Sequence, residues 1–440
     1  MRTQFTDRQR SDPRIRAADE ILRKCVHCGF CAPSCPTYRL TGDELDGPRG
    51  RIWLIRDLLE AGADEAVPAA DPGVVDHLDR CLGCLACMPA CPSGVDYHGL
   101  IGIARDVVEE RARRGPAMRL YRAFLGRVLP SPRSFVVMLW LSRLAAPARR
   151  LLGRRIGAGL RLAKAVKPVS LTPKPAAGRY PPTAPRRGRV ALIAGCAQSV
   201  LAPGVNAALI RILNRAGFEA VVLGGAACCG ALNEHLGQGN AARAHARAVI
   251  ARVLAEADAG GLDAVVQTAS GCGTLMKSYG GLLAGDPDWE DRARRVAALV
   301  RDASEFLATL ELSFPGSGPG HSVAWQAPCS LANGQGAAEF APSLLRRAGF
   351  EVHEPPEGPI CCGSAGTYNL TEPEIAARLG EDKARALARL EPDVIASANL
   401  GCMVQLAGRL ATPVVHVVEL IDWAQGGPAP IGFGDTARDA

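Results

Sequence analysis

The chain has 440 residues, of which 48% are hydrophobic, 22% charged and only 5% aromatic. This length and composition predict a folded protein of two to four domains, whose cores depend mainly on aliphatic side chains. The formal net charge is +7, and no run of about 18 apolar residues occurs, so we expect no membrane-spanning helix.

The positive charge is concentrated in one part of the chain. No Asp or Glu occurs between residues 111 and 218, whereas 20 of the 51 Lys and Arg residues lie between residues 111 and 189. The other 31 basic residues are outnumbered by the 44 acidic ones. Such a concentration could bind anionic lipid, an acidic protein partner or nucleic acid. Nucleic acid is the least favoured of the three, because no recognition motif accompanies the charge.

The first predicted element is a short helix over residues 6–24, which leads into a run of four cysteines. A second run begins at residue 81, and both have the spacing C-x2-C-x2-C-x3-C-P. Two-cluster ferredoxins hold cubane [4Fe-4S] clusters with this spacing, and the fourth cysteine of each run ligates the other cluster. We therefore predict two [4Fe-4S] clusters with crossed ligation. The predicted ligands are Cys25, Cys28, Cys31 and Cys91 for cluster 1, and Cys81, Cys84, Cys87 and Cys35 for cluster 2.

Zinc and disulfides are the alternatives for these cysteines. Zinc sites favour separated pairs of cysteines rather than four in one short run. Disulfides are typical of secreted chains. Residues 1–16 are polar and charged and lack the apolar core of a signal peptide, so we expect the reducing cytosol instead.

Amphipathic patterns predict two further helices, over residues 50–61 and 100–114, and no strand before about residue 188. Residues 1–115 are therefore predicted to form a mostly helical domain that holds both clusters. This pattern resembles the helical dicluster domain of fumarate reductase and succinate dehydrogenase iron-sulfur subunits, and differs from small βαβ-type ferredoxins.

Residues 116–188 form a basic segment between this domain and the rest of the chain. Residues 135–141 are apolar but too short to span a membrane. They continue into a stretch that interleaves Leu and Ile with Arg149, Arg150, Arg154, Arg155 and Arg161. This pattern fits either an interfacial or docking helix, or a connector helix packed on its own domain. Residues 167–187 are rich in proline and predict an extended linker.

The C-terminal part contains an internal repeat. Strand patterns alternate with helix patterns in residues 189–320 and again in residues 321–440, which predicts two α/β modules with mainly parallel sheets. The first three cysteines of the two modules differ by a constant 133 positions, and the last by 130. Because ligands bind beyond the carboxyl ends of parallel strands, each set should gather at one sheet edge. The sets are Cys196, Cys228, Cys229 and Cys272, and Cys329, Cys361, Cys362 and Cys402.

Each module resembles the cysteine-rich CCG domain of heterodisulfide reductase B-type subunits, through Cys228-Cys229-Gly230 and Cys361-Cys362-Gly363. That resemblance implies an unusual iron-sulfur cluster bound by five thiolates. One thiol is missing from each module, where Ala269 and Asn399 stand instead. The four cysteines of each module could therefore form a further four-thiolate iron-sulfur cluster, a weaker metal site or a site without metal. The two adjacent cysteines could also be a reduced buried pair or a strained disulfide.

From the first cysteine run to the region of Cys402, the chain resembles the iron-sulfur subunits of bacterial glycolate oxidase (glycolate dehydrogenase). The stretches that carry this resemblance are residues 25–31, 42–52, 77–82, 267–273 and 361–368. It implies an electron-transfer subunit that acts with flavin-containing (FAD) subunits. Their complex oxidises glycolate, and often D-lactate, and passes electrons to a membrane-linked acceptor. The charged residues within 42–52 would then either contact the flavoprotein, or cap and ion-pair within their own helix.

This chain by itself should not oxidise an alcohol. It has neither a G-x-G-x-x-G run after a predicted strand nor a P-loop, and we expect no catalytic residue in it. We expect a cytoplasmic location, either free or peripheral on the cytoplasmic face of the inner membrane, and no nucleic-acid partner. The alternatives are a subunit of a lactate-utilisation or anaerobic glycerol-3-phosphate dehydrogenase complex, a heterodisulfide reductase-like thiol enzyme, and a scaffold with structural clusters.

Overall fold

The structure is a computed structural model of the chain. It describes residues 1–61, 68–145, 147, 153–165, 174–225, 228–315 and 320–430. Arg149, Arg150 and the first part of the predicted linker, residues 167–173, lie outside the described residues.

The N-terminal part folds into a helical domain around the two cysteine runs. Four of its helices begin with proline, whose fixed φ suits a first helical turn. Its core is formed by completely buried aliphatic side chains, among them Leu22, Ile55 and Leu100. The helices are α1 (Asp7–Arg10), α2 (Pro13–Lys24), α3 (Pro36–Thr41), α4 (Pro48–Glu60), α5 (Pro72–Asp79) and α6 (Tyr97–Arg111), with a 3-10 turn at Glu44–Asp46.

The prediction of one helix over residues 6–24 is wrong, because the chain forms two helices there. The Asp12 side chain accepts a hydrogen bond from Arg14 N at 2.8 Å and caps α2, and Pro13 opens that helix. Because α2 begins here, α1 ends at Arg10. The predicted helix over 100–114 is present as α6 but begins three residues earlier, because Asp96 caps it.

The basic segment contributes three helices, α7 (Pro116–Val128), α8 (Pro132–Ala145) and α9 (Gly153–Ala165). One face of α7 and α8 packs inward through Leu125, Leu129, Phe135 and Leu139, in a cluster that also includes Leu236 of the first module. Among the described residues, no helix combines the length and apolarity needed to cross a membrane.

The first module is built on a five-stranded sheet in the order β1-β3-β2-β4-β5, in which only β1 is antiparallel to its neighbour. Its strands are β1 (Gly178–Tyr180), β2 (Gly188–Leu192), β3 (Phe218–Val222), β4 (Ala264–Gln267) and β5 (Val300–Asp302). Its helices are α10 (Gln198–Leu201), α11 (Pro203–Arg215), α12 (Ala231–His235), α13 (Gly239–Gly260), α14 (Ser270–Lys277), α15 (Tyr279–Leu282), α16 (Glu290–Leu299) and α17 (Ala303–Ala308). Strand β1 corrects two expectations, since it lies inside the predicted linker and before residue 188. It pairs with β3 at the sheet edge, a long-range partner that local composition does not indicate.

The second module has a parallel four-stranded sheet in the order β7-β6-β8-β9. Its strands are β6 (Ser322–Gln326), β7 (Glu351–His353), β8 (Val394–Ser397) and β9 (Val414–His416). Its helices are α18 (Cys329–Gln335), α19 (Phe340–Arg347), α20 (Tyr368–Thr371), α21 (Pro373–Ala388), α22 (Leu400–Ala407) and α23 (Val417–Ala424). This strand order matches the order β3-β2-β4-β5 of the first module. The two halves that repeat in sequence therefore also have the same sheet topology.

One hydrophobic core extends through both modules. Side chains from both, such as Leu209 of α11 and Trp325 of β6, belong to the same buried cluster. At its edge, the buried Asp422 of α23 pairs with Arg211 of α11 (Oδ2 to Nη2, 2.5 Å) and with Arg215. The modules are therefore packed as one unit rather than strung on a linker.

His416 connects the modules at this junction. Its Nδ1 accepts a hydrogen bond from Val418 N at 3.1 Å and caps α23, while Nε2 lies 2.7 Å from the carbonyl oxygen of Thr268 in the first module. The Nε2 atom therefore carries the proton of a neutral ring. Burial lowers the pKa of His416 to about 4.

We expect His416 to make the stability of the fold depend on pH. Its unfolded pKa is about 6.5, so as pH falls the unfolded chain takes up the proton first. The stability that neutral His416 contributes is fully present above about pH 6.5 and is lost toward pH 4, at a cost of up to about 3 kcal/mol. In His416→Asn, the side-chain oxygen keeps the cap without titrating. Urea unfolding should therefore show a shallower loss of free energy between pH 6.5 and 4 than in the wild type, and equal slopes would contradict this.

Candidate iron-sulfur sites

The eight cysteines of the two runs surround two adjoining cavities. The first cavity is lined by Cys25, Cys28, Cys31 and Cys91. The second is lined by Cys35, Cys81, Cys84 and Cys87. Cys87 and Tyr97 line both, so the two cavities share a wall. Each run thus gives three cysteines to one cavity and its fourth to the other, with Cys87 of the second run standing on the shared wall. This is the division that crossed ligation requires, and the ligation itself stays a prediction.

The two cysteine loops have the same backbone form. Positive φ values occur two and four residues after the first cysteine of each run, at His27 (58°) and Gly29 (84°), and at Gly83 (64°) and Leu85 (59°). Glycine adopts this left-handed backbone without a steric penalty, whereas the loop must hold His27 and Leu85 in it. The repeated turn directs three successive thiols of each loop toward one cavity.

The first site lies at the protein surface. Cys28 is exposed, and the neighbouring Val26 and Phe30 each have 68% of their surface exposed. The N-terminal ammonium group of Met1 donates to the carbonyl oxygen of Cys25 at 2.6 Å and fixes the start of the loop. An exposed thiol ringed by apolar side chains is accessible to a partner protein.

The second site is buried and contains a buried cation. The Arg51 side chain is 1% exposed, and its Nη1 lies 3.8 Å from Cys35 Sγ and donates to Thr37 Oγ1 at 3.0 Å. Its Nη2 lies 3.5 Å from the buried carboxylate of Asp46, which also contacts His77 Nδ1 at 2.9 Å. Asp46 and Arg51 therefore cannot contact a flavoprotein. For these two residues the docking interpretation of 42–52 is wrong, and the ion-pair interpretation is correct.

The charges around the thiols differ between the sites. Burial raises the pKa of Cys25 and Cys31 at the first site, and raises the pKa of Cys84 and Cys87 well above the ordinary thiol value. Burial would also raise the pKa of Cys81, but the Arg51 and Arg105 guanidiniums outweigh it and lower that pKa. At the second site, the two guanidiniums therefore favour the thiolate form of Cys81, whereas burial disfavours it for Cys84 and Cys87.

The donor set fits the [4Fe-4S] cluster that the spacing predicts. All sixteen cysteines of the chain have free thiols, and all four predicted ligands of each cluster line the same N-terminal cavity. Thiolates are the ligands of such clusters. At the second site, Arg51 and Arg105 offset part of the negative charge that four thiolates would add.

The cysteine-rich modules bring together the sets that the sequence predicts. In the second module, Cys329 Sγ lies 3.9 Å from Cys361 Sγ, and Cys362 Sγ lies 3.1 Å from Cys402 Sγ. The first module repeats this pairing, since Cys196 contacts Cys228 and Cys229 contacts Cys272. The adjacent cysteines of each CCG motif contact each other and also reach two different partners, so four thiols converge in each module.

One buried lysine distinguishes the second module. Lys383 of α21 is 1% exposed, and its ammonium group interacts electrostatically with the thiols of Cys362 and Cys402. Burial lowers the pKa of Lys383, and the thiols oppose this shift. The position 133 residues earlier is the buried Ile250, so the first module lacks this cation. Sequence analysis missed it, although a lysine four residues from both Leu379 and Leu387 occupies the apolar stripe of a helix.

The second module abuts the second cluster site. Asn333 Nδ2 donates to the carbonyl oxygen of Cys84 at 3.0 Å, and Tyr368 Oη donates to that of Arg80 at 3.0 Å. Cys84 and two cysteines of the second module, Cys329 and Cys361, line one open cavity between the domains. A repeat in the sequence does not indicate which module faces which cluster.

Comparison with known families agrees with this organisation. The model of the 4Fe-4S dicluster domain matches residues 21–95. The model of the cysteine-rich (CCG) domain matches twice, over residues 190–277 and 323–407. The two CCG matches each contain one set of four converging cysteines, so the predicted repeat and its family are confirmed.

Several curated proteins are similar to the chain along most of its length. The glycolate oxidase iron-sulfur subunit of Escherichia coli (strain K12) is 40% identical over 96% of this chain and 99% of its own. The probable glycolate oxidase iron-sulfur subunit of Bacillus subtilis (strain 168) is 33% identical over 92% of this chain and 94% of its own. Lactate utilization protein A of Geobacillus thermodenitrificans is 25% identical over 53% of this chain and 98% of its own.

Proposed function

Because the chain belongs to the family of glycolate oxidase iron-sulfur subunits, we propose that it is the electron-transfer subunit of a flavin-dependent glycolate dehydrogenase complex. The observation that carries the proposal is the pair of adjoining cavities, which are lined by the eight free cysteine thiols of the two runs. The partners are FAD-containing subunits that oxidise glycolate, with D-lactate as a second substrate. Electrons leave toward a membrane-linked acceptor, and the complex lies on the cytoplasmic side of the membrane.

The two cavities hold one [4Fe-4S] cluster each, with crossed ligation. Cys25, Cys28, Cys31 and Cys91 ligate cluster 1, and Cys35, Cys81, Cys84 and Cys87 ligate cluster 2. The clusters supply one-electron transfer. Around cluster 2, Arg51 and Arg105 stabilise added negative charge and so favour its reduction.

The chain offers two ends for an electron path. At one end, exposed Val26 and Phe30 flank Cys28 and provide an apolar contact for the flavoprotein. At the other end, Cys84 adjoins the second module through Asn333. We propose that the residues of the surface site would hold the cluster that faces the flavoprotein, and that Arg51 and Arg105 would make the cluster of the second site the easier one to reduce.

The second module is the better candidate for a further iron-sulfur cluster. Four thiols converge there beside a buried cation and next to the second cluster site. The first module has the thiols without the cation. With four thiols and Asn399 at the fifth position, such a cluster would lack one thiolate of the family pattern; Asn399 Nδ2 instead donates to Cys402 Sγ at 3.5 Å.

This assignment predicts different iron contents for matched variants of the full chain. Cys362→Ala should lower the iron and acid-labile sulfide of the anaerobically purified chain below the wild-type values, because it removes the thiol that contacts Cys402. Cys229→Ala, the equivalent change in the first module, should have the smaller effect. A wild-type content of only about eight irons, unchanged in Cys362→Ala, would contradict a cluster in this module.

The open cavity beside Cys84 supports a second candidate, a thiol or disulfide reaction. Cys84, Cys329 and Cys361 line it together with Arg39, Arg385 and Arg389. Arg39 is suited to an anionic substrate, whereas Arg385 and Arg389 pair with Asp382 and Glu357, which also line the cavity. A subunit of a lactate-utilisation or anaerobic glycerol-3-phosphate dehydrogenase complex is a third candidate, and the similarity to lactate utilization protein A supports the lactate form.

An anaerobic pull-down of the tagged chain from its native host distinguishes these candidates. We expect flavin-containing subunits to copurify and their flavin absorbance to bleach on addition of glycolate, and more weakly of D-lactate. Bleaching by glycerol 3-phosphate alone would select the third candidate. Absence of any flavoprotein, with activity toward an added disulfide, would replace the proposal by the thiol reaction.

A further inference from the structure

The outer face of α7 and α8 carries an apolar stripe that nothing in the described chain covers. Its side chains are 45% to 78% exposed and repeat at helical spacing. They are Leu120 and Phe124 on α7, and Val137, Trp140, Leu141 and Leu144 on α8. These six are half of the twelve large hydrophobic residues that are exposed in the described chain. Exposed apolar side chains are therefore concentrated on these two helices.

The stripe is held in place by the opposite face of the same helices. Leu125, Leu129, Phe135 and Leu139 are buried against residues of the first module. Tyr121 Oη donates to the carbonyl oxygen of Leu370 in the second module at 3.3 Å. The outer side chains therefore belong to an anchored part of the fold and present a fixed surface.

The charged residues of α7 and α8 are all of one sign. No Asp or Glu occurs between residues 111 and 218. Arg119, Arg127 and Arg133 are exposed on the same two helices, and the Arg143 guanidinium lies 5.7 Å from the ring centre of Trp140. Helices that lie in a membrane interface combine exposed Trp, Phe and Leu with a rim of Lys and Arg.

We propose that the outer face of α7 and α8 binds the surface of an anionic lipid bilayer. The apolar side chains enter the boundary between headgroups and acyl chains, and the arginines contact lipid phosphates. An acidic protein would match the arginines, but protein interfaces also pair polar groups of both signs, and α7 and α8 themselves carry only cations beside the apolar side chains. The inference deepens the proposed function by naming the surface that brings the subunit to its membrane-linked acceptor.

Sedimentation of the intact, anaerobically purified chain with lipid vesicles tests this inference. We expect binding to vesicles with about 30% phosphatidylglycerol at low salt and about tenfold weaker binding to pure phosphatidylcholine, with loss of binding at about 0.5 M salt. The double variant L141Q/L144Q should reduce the bound fraction at least about fivefold. The control Phe340→Gln, which changes an exposed apolar side chain on the second module, should bind like the wild type.

The outcomes separate lipid binding from the proposed function. Iron content and thermal unfolding should be the same in L141Q/L144Q and the wild type, because both side chains are exposed. Equal binding of the double variant and the wild type, or no binding of either, would overturn the inference. If vesicles are not bound but L141Q/L144Q loses its copurifying protein partners, the surface is a protein interface and the lipid proposal fails. Flavin bleaching by glycolate in detergent reports on the proposed function independently of this surface.

Discussion

Replacing Cys91 by alanine should abolish cluster 1 and leave cluster 2 intact, although Cys91 lies in the second cysteine run. The physical reason is that Cys91 lines the same cavity as Cys25, Cys28 and Cys31. We expect a loss of about four irons per chain, and the disappearance of one of the two [4Fe-4S] signals in the EPR spectrum of the reduced protein.

The matched variant is Cys35→Ala, which removes the fourth cysteine of the first run. Since Cys35 lines the cavity of Cys81, Cys84 and Cys87, it should remove the other EPR signal. Cys25→Ala serves as the control, because it should reproduce the spectrum of Cys91→Ala. If Cys91→Ala instead resembles Cys81→Ala, each run ligates its own cluster and the crossed assignment is wrong.

Arg51→Gln should be the most damaging change outside the cysteines. It removes the buried partner of Asp46 and leaves that carboxylate with His77 and Arg80. Breaking a buried ion pair by deleting one partner typically costs about 3–5 kcal/mol of unfolding free energy. The loss of a cation near Cys35 and Cys81 should also lower the reduction potential of cluster 2, on the order of 100 mV at an effective dielectric constant of about 20.

The control for Arg51 is Arg56→Gln on the same helix. Arg56 forms its ion pairs with Asp57 and Glu60 at the protein surface. We therefore expect a loss of less than about 1 kcal/mol of unfolding free energy and no change in the reduction potential of cluster 2. If Arg51→Gln fails to fold, the double variant Asp46→Asn/Arg51→Gln is compared with Asp46→Asn, because these two variants differ only in the charge at residue 51. An EPR redox titration that gives cluster 2 the same potential in these two variants would contradict the role of Arg51.

The sequence predicted those parts of the site that depend on local spacing. The spacing of the cysteine runs predicted that Cys91 lies beside the first run, because the fourth cysteine of this motif ligates the cluster of the other run. The constant offset of 133 between Cys196 and Cys329 revealed the paired modules. The converging thiols then followed from the position of cysteines at the ends of parallel strands. These inferences need only the order of residues along the chain.

The remaining features depend on contacts between distant segments. Strand β1 lies in a proline-rich stretch and exists because β3 offers it a free edge. Strands β5, β7 and β9 have only three residues each, too few for a periodic pattern. Arg51 is buried because His77 and Asp46 close over it, and Cys84 faces Asn333 because the second module docks there.

The central claim is that the chain carries electrons from a flavoprotein through two [4Fe-4S] clusters. The most direct measurement is the EPR spectrum of the anaerobic chain after addition of glycolate, with and without its copurified flavin subunits. We predict that two [4Fe-4S] signals appear only when the flavin subunits are present, and that one of them is missing in Cys91→Ala. Reduction by glycolate without any flavoprotein, or no cluster reduction in the complete complex, would contradict the claim.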